Sequence, residues 1–380
     1  MCSIKPKPRI ESESTLPVRY SYLSQQFADC EDLWSNLRDF VSTGDFTLGK
    51  PLTDFENKFA DLLDSKFAIG VNSGTDAIKI SLKALGVKPG DEVITAANTF
   101  VATVGAINEI GAVPVFIDVD ETFCMDVDLI EQAITYRTKA IVPVHFTGYM
   151  SKMDEVMRIA AKHNLIVVED ACQSILAEWK GKKAGTWGHA AAFSLHPLKN
   201  LNVWSDGGII VTQDEDLNSK LRLLRNHGLI DRDHVLELGF NSRLDTFQAV
   251  VGNWLIPTAK EISDKRIRNA QLLDKSLSQI PGIRIPERTE RMRVVFHLYV
   301  VYAKKRDELL KFCQERGVEA KVHYPLPIYK QVALRKFVGN SVFPVTDYQA
   351  ANTISFPCDQ HLSEDQINEI AQVVKDFYLE

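Results

Sequence analysis

The 380-residue sequence has no apolar run of about 18 residues, so nothing in it reads as a membrane span. It also has no long basic run, and its formal net charge is −6, so the electrostatic footprint of a nucleic-acid binder is missing. Its six cysteines (Cys2, Cys30, Cys124, Cys172, Cys313 and Cys358) are scattered, and none sits in a CxxC. They read as reduced thiols of a cytoplasmic protein with no metal site. None of the nine histidines makes an HExxH or other ligand spacing, and no Walker motif or GxGxxG occurs. A metal-dependent hydrolase, a P-loop enzyme and a Rossmann dehydrogenase therefore lack support. The N-terminal "MCSIKPKPRIESESTLP" has no apolar core and is not expected to be a signal peptide. Residues 1–15 are too polar to pack and are expected to be flexible.

What is present is a rhythm. From about residue 50, strand-like and helix-like runs alternate: "SKFAIGV", then "TDAIKISLKALG" ended by Gly86, then "DEVITA", "AVPVFIDV", "KAIVPVHF", "MDEVMRIAAKHN" and "LIVVEDA". Alternating β and α runs predict an α/β fold, a mainly parallel sheet covered by helices on both faces. A long helical stretch is predicted from Asp245 to Ile280, bent or broken near Pro257. Beyond it the pattern changes, with strands at "VVFHLYVVYA" and "VEAKVHYP" and a helix between them ending at Gly317. A last helix is predicted from "SEDQ", where Ser363 and Gln366 have capping-box spacing. The expected division is a large α/β domain over 16–256 and a small C-terminal α+β domain over 257–380.

Three short stretches carry chemistry. In "LIVVEDACQS" an apolar strand ends in Glu169 and Asp170, which sets carboxylates at the sheet edge where ligands of open α/β folds bind, or caps the next turn. In "VNSGTDAIKI" a strand runs into Gly74 and Thr75 at a helix start, which suits a phosphate and equally an ordinary N-cap. In "FSLHPLKNLNVWSDGGIIVT", Lys199 lies in a loop between two half-buried strands, with Ser194 just before it. A lysine on an exposed turn is inert, whereas one held inside the protein has a lowered pKa and becomes a nucleophile. Together, a phosphate cradle, an acid at a strand end and a lysine are what pyridoxal 5′-phosphate requires.

In order along the chain, "NSGTDAI", "TFVAT", "VEDACQS", "FSLHPLKN", "DGGIIVT", "RNHG" and "GFNSRLDTFQA" resemble the DegT/StrS-type sugar aminotransferases, fold-type-I enzymes dependent on pyridoxal phosphate. The resemblance implies catalytic roles for Lys199, as the Schiff-base lysine and proton carrier, and for Asp170, as partner of the pyridine nitrogen. It implies cofactor contacts from Gln173 near the phenolic oxygen, Phe100 on the ring face, and Gly74, Thr75 and Ser194 on the phosphate. Asn241 is implied to reach the cofactor phosphate of a neighbouring subunit, so the protein is expected to be a homodimer with shared sites. His323 and Tyr324, in "KVHYPLPIYKQ", are implied substrate contacts or simply strand-end polar residues. The implied reaction moves an amino group from an amino acid, glutamate by resemblance, to a keto sugar for lipopolysaccharide or other surface polysaccharide, with pyridoxamine 5′-phosphate formed during turnover.

Two departures from the family pattern leave the acceptor open. "NLNVWSDGG" puts Trp204, Ser205 and Asp206 where a small-residue turn and Glu are common, and "VHFTGYMSKMDE" lacks the usual Tyr-Gly. Both runs are expected near the substrate. The acceptor is a nucleotide-linked keto sugar or, alternatively, an 8-keto-3,8-dideoxy-octulosonate sugar acid. Arg225, Arg243, Arg266 and Lys321 are candidate anion contacts. His145, His189 and His196 are expected near the site, with His196 packed beside the cofactor, and His163 is expected to cap its helix end as a cation. Other classes remain: a sugar dehydratase of the same family, which would carry His in place of Lys199, and a pyridoxal-phosphate-binding regulator.

Overall fold

The computed structural model describes residues 18–339 and 341–379. The flexible segment expected at 1–15 lies outside them. Seven strands form the central sheet: β1 (Phe67–Val71), β2 (Glu92–Ala96), β3 (Val113–Ile117), β4 (Thr138–Val142), β5 (Ile166–Asp170), β6 (Ala190–Ser194) and β7 (Gly208–Thr212). Their order is β1-β7-β6-β5-β4-β2-β3. Pairing is parallel from β3 through β6, and β7 runs antiparallel to both β6 and β1. Six strands therefore deliver their carboxyl ends to one edge.

The apolar runs are continuous because both sheet faces are buried. Successive side chains point to opposite faces, and the burial follows: Ile209 and Val211 enter one core and Ile210 the other, as do Ile141 against Ala140 and Val142. The first core holds Phe55, Phe59 and Phe193, whose rings meet edge to face. The second packs the helix Gly74–Ala84 on the opposite face through Ile78, Ile80 and Leu82.

The helical stretch from Asp245 breaks where proline predicts. A helix over Thr246–Leu255 gives way to a 3-10 turn containing Pro257, and a second helix runs over Ala259–Leu277. A three-stranded antiparallel sheet follows, with β8 (Tyr299–Ala303) between Ile283–Arg284 and β9 (Thr353–Phe356). The final helix has the reciprocal cap read from its spacing: Gln366 N–H donates to Ser363 Oγ at 3.2 Å, and Ser363 N–H to Gln366 Oε1 at 3.1 Å.

The strand expected at "VEAKVHYP" does not form. The segment makes two isolated bridges, Val318 to Val18 and Lys321 to Ser355, because it serves two different neighbours. The N-terminal segment is thereby tied to the far end of the chain, and Tyr20 N–H also donates to Glu319 Oε2 at 2.8 Å. Among the described residues no helix is long and apolar enough to cross a membrane.

Candidate active site

A cavity of about 350 Å³ opens at the carboxyl edge of the sheet, a size that holds a small ligand. Its floor is built by the strand ends. After β1 the chain turns at Ser73, whose Oγ accepts from Asp76 N–H at 3.1 Å and so caps the helix Gly74–Ala84. That leaves the N–H groups of Gly74 and Thr75 without an intrahelical partner at the positive end of the dipole. The turn is closely packed. A Cβ on Gly74 would stand 2.8 Å from Cys172 Sγ and 2.9 Å from Ser194 Cβ, and a Cβ on Gly208 would stand 2.3 Å from the Ser73 carbonyl. Only backbone fits between β1, β6 and β7 here, and the Ser194 hydroxyl completes the rim.

Asp170 ends β5 and is 6% exposed. Its Oδ2 accepts from Thr103 Oγ1 at 2.7 Å, its Oδ1 from Cys172 N–H at 3.2 Å, and Thr103 in turn meets Thr99 Oγ1 at 2.7 Å. This carboxylate is aimed by its neighbours. Glu169, its sequence neighbour, points the other way and is consumed by structure. It accepts from Gly185, Trp187 and Gly188 N–H groups at 2.8–2.9 Å and meets His145 Nε2 at 2.9 Å. Burial pushes its pKa up, and those hydrogen bonds more than offset it, holding the carboxyl below its usual range.

Lys199 projects from the loop after β6 into the same cavity. Its backbone is pinned, with the carbonyl accepting from Tyr22 Oη at 3.1 Å and Asn202 Nδ2 at 2.9 Å. No ion pair or hydrogen bond holds its ammonium among the described residues, and desolvation lowers its pKa. Gln173 Oε1 accepts from Thr147 N–H at 2.7 Å, which fixes its amide on the cavity wall. Phe100, half exposed, stands at the cavity with its ring 5.8 Å from that of Tyr324. His323 and Tyr324 complete that side. His323 Nδ1 lies 2.9 Å from Ser355 Oγ, and burial pushes the imidazole down to about 4 and the Tyr324 phenol up to about 12.

One cavity thus gathers Gly74, Thr75, Phe100, Asp170, Gln173, Ser194, Lys199, His323 and Tyr324. Asn241 is the exception. It is exposed, bridges only to Asn226, and does not line the cavity. Several expectations are corrected. Arg225 is buried in an ion pair with Glu56 and donates to the Gly70 carbonyl, so it anchors β1 and faces no ligand. Arg243 bonds Asn226 Oδ1 at 3.0 Å and lies off the cavity. His189 precedes β6 and accepts from Val167 N–H at 3.0 Å, at the opposite edge of the sheet. His163 does lie in the last turn of its helix, as expected, 2.9 Å from Glu131, and Asn164 in the left-handed region ends that helix. Of the "NVWSD" run only Asp206 lines the cavity. Trp204 turns into an aromatic cluster with Phe27, Trp34 and Phe247. The Thr147–Gly148 turn packs on the Phe296 backbone, and of its run only Val144 and His145 reach the cavity.

Sequence reasoning missed the walls supplied by Tyr20, Tyr22 and His297. No spacing signal marks them, since Tyr20 and Tyr22 come from one short segment, and His297 from another, both far in sequence from the strand ends they face. Thr103 lay inside the quoted "TFVAT" run, but its role appears only with its distance to Asp170.

The chemistry that fits is narrow. The backbone cradle at Gly74, with hydroxyls on both sides, suits a phosphate monoester. The buried carboxylate suits a protonated ring nitrogen, and the unpartnered amine suits covalent attachment of an aldehyde. These requirements meet in pyridoxal phosphate, on the sheet and helix architecture of the fold-type-I enzymes. Comparison with known proteins agrees. The family model described as the DegT/DnrJ/EryC1/StrS aminotransferase family matches residues 29–375. A "Pleiotropic regulatory protein" of Geobacillus stearothermophilus is 37% identical over 94% of this chain and 97% of its own. The UDP-N-acetyl-3-dehydro-alpha-D-glucosamine 3-aminotransferase of Acidithiobacillus ferrooxidans is 38% identical over 89% of this chain and 94% of its own. The crystal structure of S. venezuelae DesV superposes with a TM-score of 0.93 at 33% identity, covering 96% of this chain and 99% of that one. The chain belongs to the DegT/DnrJ/EryC1/StrS aminotransferase family. It is a sugar aminotransferase, and its cofactor is pyridoxal phosphate.

Proposed function

We propose that the protein transfers an amino group from an amino-acid donor, glutamate, to a nucleotide-linked keto sugar in the cytoplasm, and that the amino sugar enters lipopolysaccharide or another surface polysaccharide. A nucleotide-linked acceptor is supported by the UDP-sugar relative. The observation that carries the chemistry is the unpartnered, desolvated Lys199 in one cavity with the fixed carboxylate of Asp170.

In this reading the bound cofactor supplies an electron sink for the pair left when the donor carbon loses its proton. The chain does the rest. Lys199 anchors the cofactor, and its freed amine then carries the proton from the donor α-carbon to the cofactor carbon, base first and acid second. Its lowered pKa suits that alternation, since more of the amine is uncharged at neutral pH than for an exposed lysine. Asp170 keeps the ring nitrogen protonated, and Thr103 and the Cys172 N–H keep Asp170 aimed. Gly74, Thr75 and Ser194 hold the phosphate, Phe100 covers the ring, and Gln173 sits by the phenolic oxygen. His323 and Tyr324 face the sugar. Asn241 completes the phosphate site of a second subunit in a homodimer, which agrees with its exposed position off its own cavity.

The test is absorbance of the holoenzyme before and after glutamate. A shift from the lysine-bound form to the pyridoxamine form in wild type, and none in Lys199→Ala, is expected. Retained transamination in Lys199→Ala would sink the assignment. A wild-type protein that holds the cofactor yet never transaminates would place the chain with the regulatory relative instead.

A further inference from the structure

We infer that the cavity wall made by Lys321 and Tyr20, which Glu319 braces from outside the cavity and Arg266 backs, recognises a single carboxylate of the substrate. This rests on the aminotransferase reading. Two cations line the cavity besides Lys199, and neither has a task in holding the cofactor. Arg266 is 3% exposed, and its Nη1 donates to the carbonyls of Phe296 and Cys358 at 3.0 Å each. Its Nε has no partner, and no carboxylate forms an ion pair with it among the described residues. The Tyr22 ring lies against it, with the guanidinium 5.2 Å from the ring centre. Asp359 lies near enough to favour its charge and Tyr22 also hydrogen-bonds it, but neither reaches the free Nε, which leaves one donor of a buried cation open to a further acceptor.

Lys321 stands on the same wall with its direction set. Its ammonium lies 4.6 Å from the Tyr20 ring centre and 3.2 Å from Glu319 Oε1, while Glu319 Oε2 accepts the Tyr20 N–H. The lysine is therefore poised on a platform, with its side chain 41% exposed. His323 is next to it, its ring 5.8 Å from that of Tyr20, and offers a neutral hydrogen-bonding edge.

Charge decides what anion this wall takes. The cavity lining carries Lys199, Arg266 and Lys321 against Asp170, Asp206 and Asp359. The lining therefore has no net positive surplus, which weighs more heavily against the several charges of a diphosphate than against a single charge, and Glu319 already takes part of the charge of Lys321. A point-charge ammonium backed by a buried guanidinium matches one carboxylate. The carboxylate belongs to the amino donor or to an acidic sugar acceptor.

The experiment uses the holoenzyme of wild type and Lys321→Met, which keeps the aliphatic stem over Tyr20 and removes the charge. Each half-reaction is followed by cofactor absorbance: glutamate, glutamine and alanine as donors, then keto sugars with and without a carboxylate as acceptors. Removing one charge-assisted contact is expected to raise half-saturation for the carboxylate-bearing partner about tenfold or more, with the limiting rate and Tm close to wild type. An equal rise for all three donors assigns the wall to the α-carboxylate. A rise for glutamate alone assigns it to the side-chain carboxylate, and a rise only for acidic sugars to the acceptor. If no half-saturation moves, or if only a diphosphate-bearing neutral sugar is affected, the inference is overturned. A wild type inert toward every donor removes the parent reading as well, a result distinct from these.

Discussion

Replacing Gly208 by alanine should loosen the cofactor without touching any side chain of the site. The added Cβ would lie 2.3 Å from the carbonyl carbon and oxygen of Ser73 and 2.8 Å from the Gly74 nitrogen. All three are backbone atoms and cannot swing aside. Ordinary contact requires the Ser73–Gly74 turn to withdraw by roughly 1 Å, and Gly74 is already crowded by Cys172 and Ser194. Nor can Gly208 yield, since it is paired with Val71 on one side and Ser194 on the other. Overpacking of this kind costs about 1–3 kcal/mol. Felt at the phosphate, that weakens cofactor binding by about 5- to 150-fold. A misplacement of about 1 Å can also slow the chemistry ~100-fold. The assay is the Kd of pyridoxal phosphate by titration, with Tm of the apo protein and the rate of the glutamate half-reaction. Gly105→Ala is the control, since a Cβ there meets nothing within 4 Å. A Gly208→Ala protein with wild-type Kd and Tm would refute the claim that the turn has no slack.

Two further outcomes are expected. Thr103→Val removes the hydroxyl that holds Asp170 at 2.7 Å; a hydrogen bond to a charged group is worth about 1.5–3 kcal/mol, so the donor half-reaction should slow by at least tenfold while Thr103→Ser stays near wild type. Equal rates in Thr103→Val and wild type would show that Asp170 does not need the contact. Acid sensitivity follows from His323, held at about 4 in the fold against about 6.5 unfolded. Between those values the unfolded chain takes up a proton that the native state refuses, so this contribution is complete above about pH 6.5 and is lost as pH falls toward 4. Tm should decline over that window and decline less steeply in His323→Asn; identical slopes would exclude His323 as a source.

The sheet was legible because its strands are buried on both faces, so each appears in the sequence as a short unbroken apolar run. The lysine, the aspartate and the Ser73–Gly74 turn, which the structure brings to one cavity, could be picked out because each sits within a few residues of a strand end. Other features are set by partners remote in sequence. Arg225 looks like a free cation until Glu56, 169 residues away, takes it. Trp204 looks like a substrate contact until Phe27 and Trp34 draw it aside. "VEAKVHYP" has the alternation of a strand, yet its neighbours Val18 and Ser355 belong to different elements and no ladder can form.

The ties from the first described residues to the middle and the last third of the chain bear on how the protein is made. Tyr22 reaches the Lys199 carbonyl 177 residues onward, and Tyr20 reaches Glu319 across 299 residues. During synthesis the strands β1 to β7 emerge before Gly317, so the sheet and its lysine can be present while one wall of the cavity has yet to leave the ribosome. Closing so long a loop is slow. Cofactor capture that depends on the finished wall would therefore wait on synthesis past that wall, and a nascent chain stalled before residue 318 would carry the lysine without an enclosed place to use it.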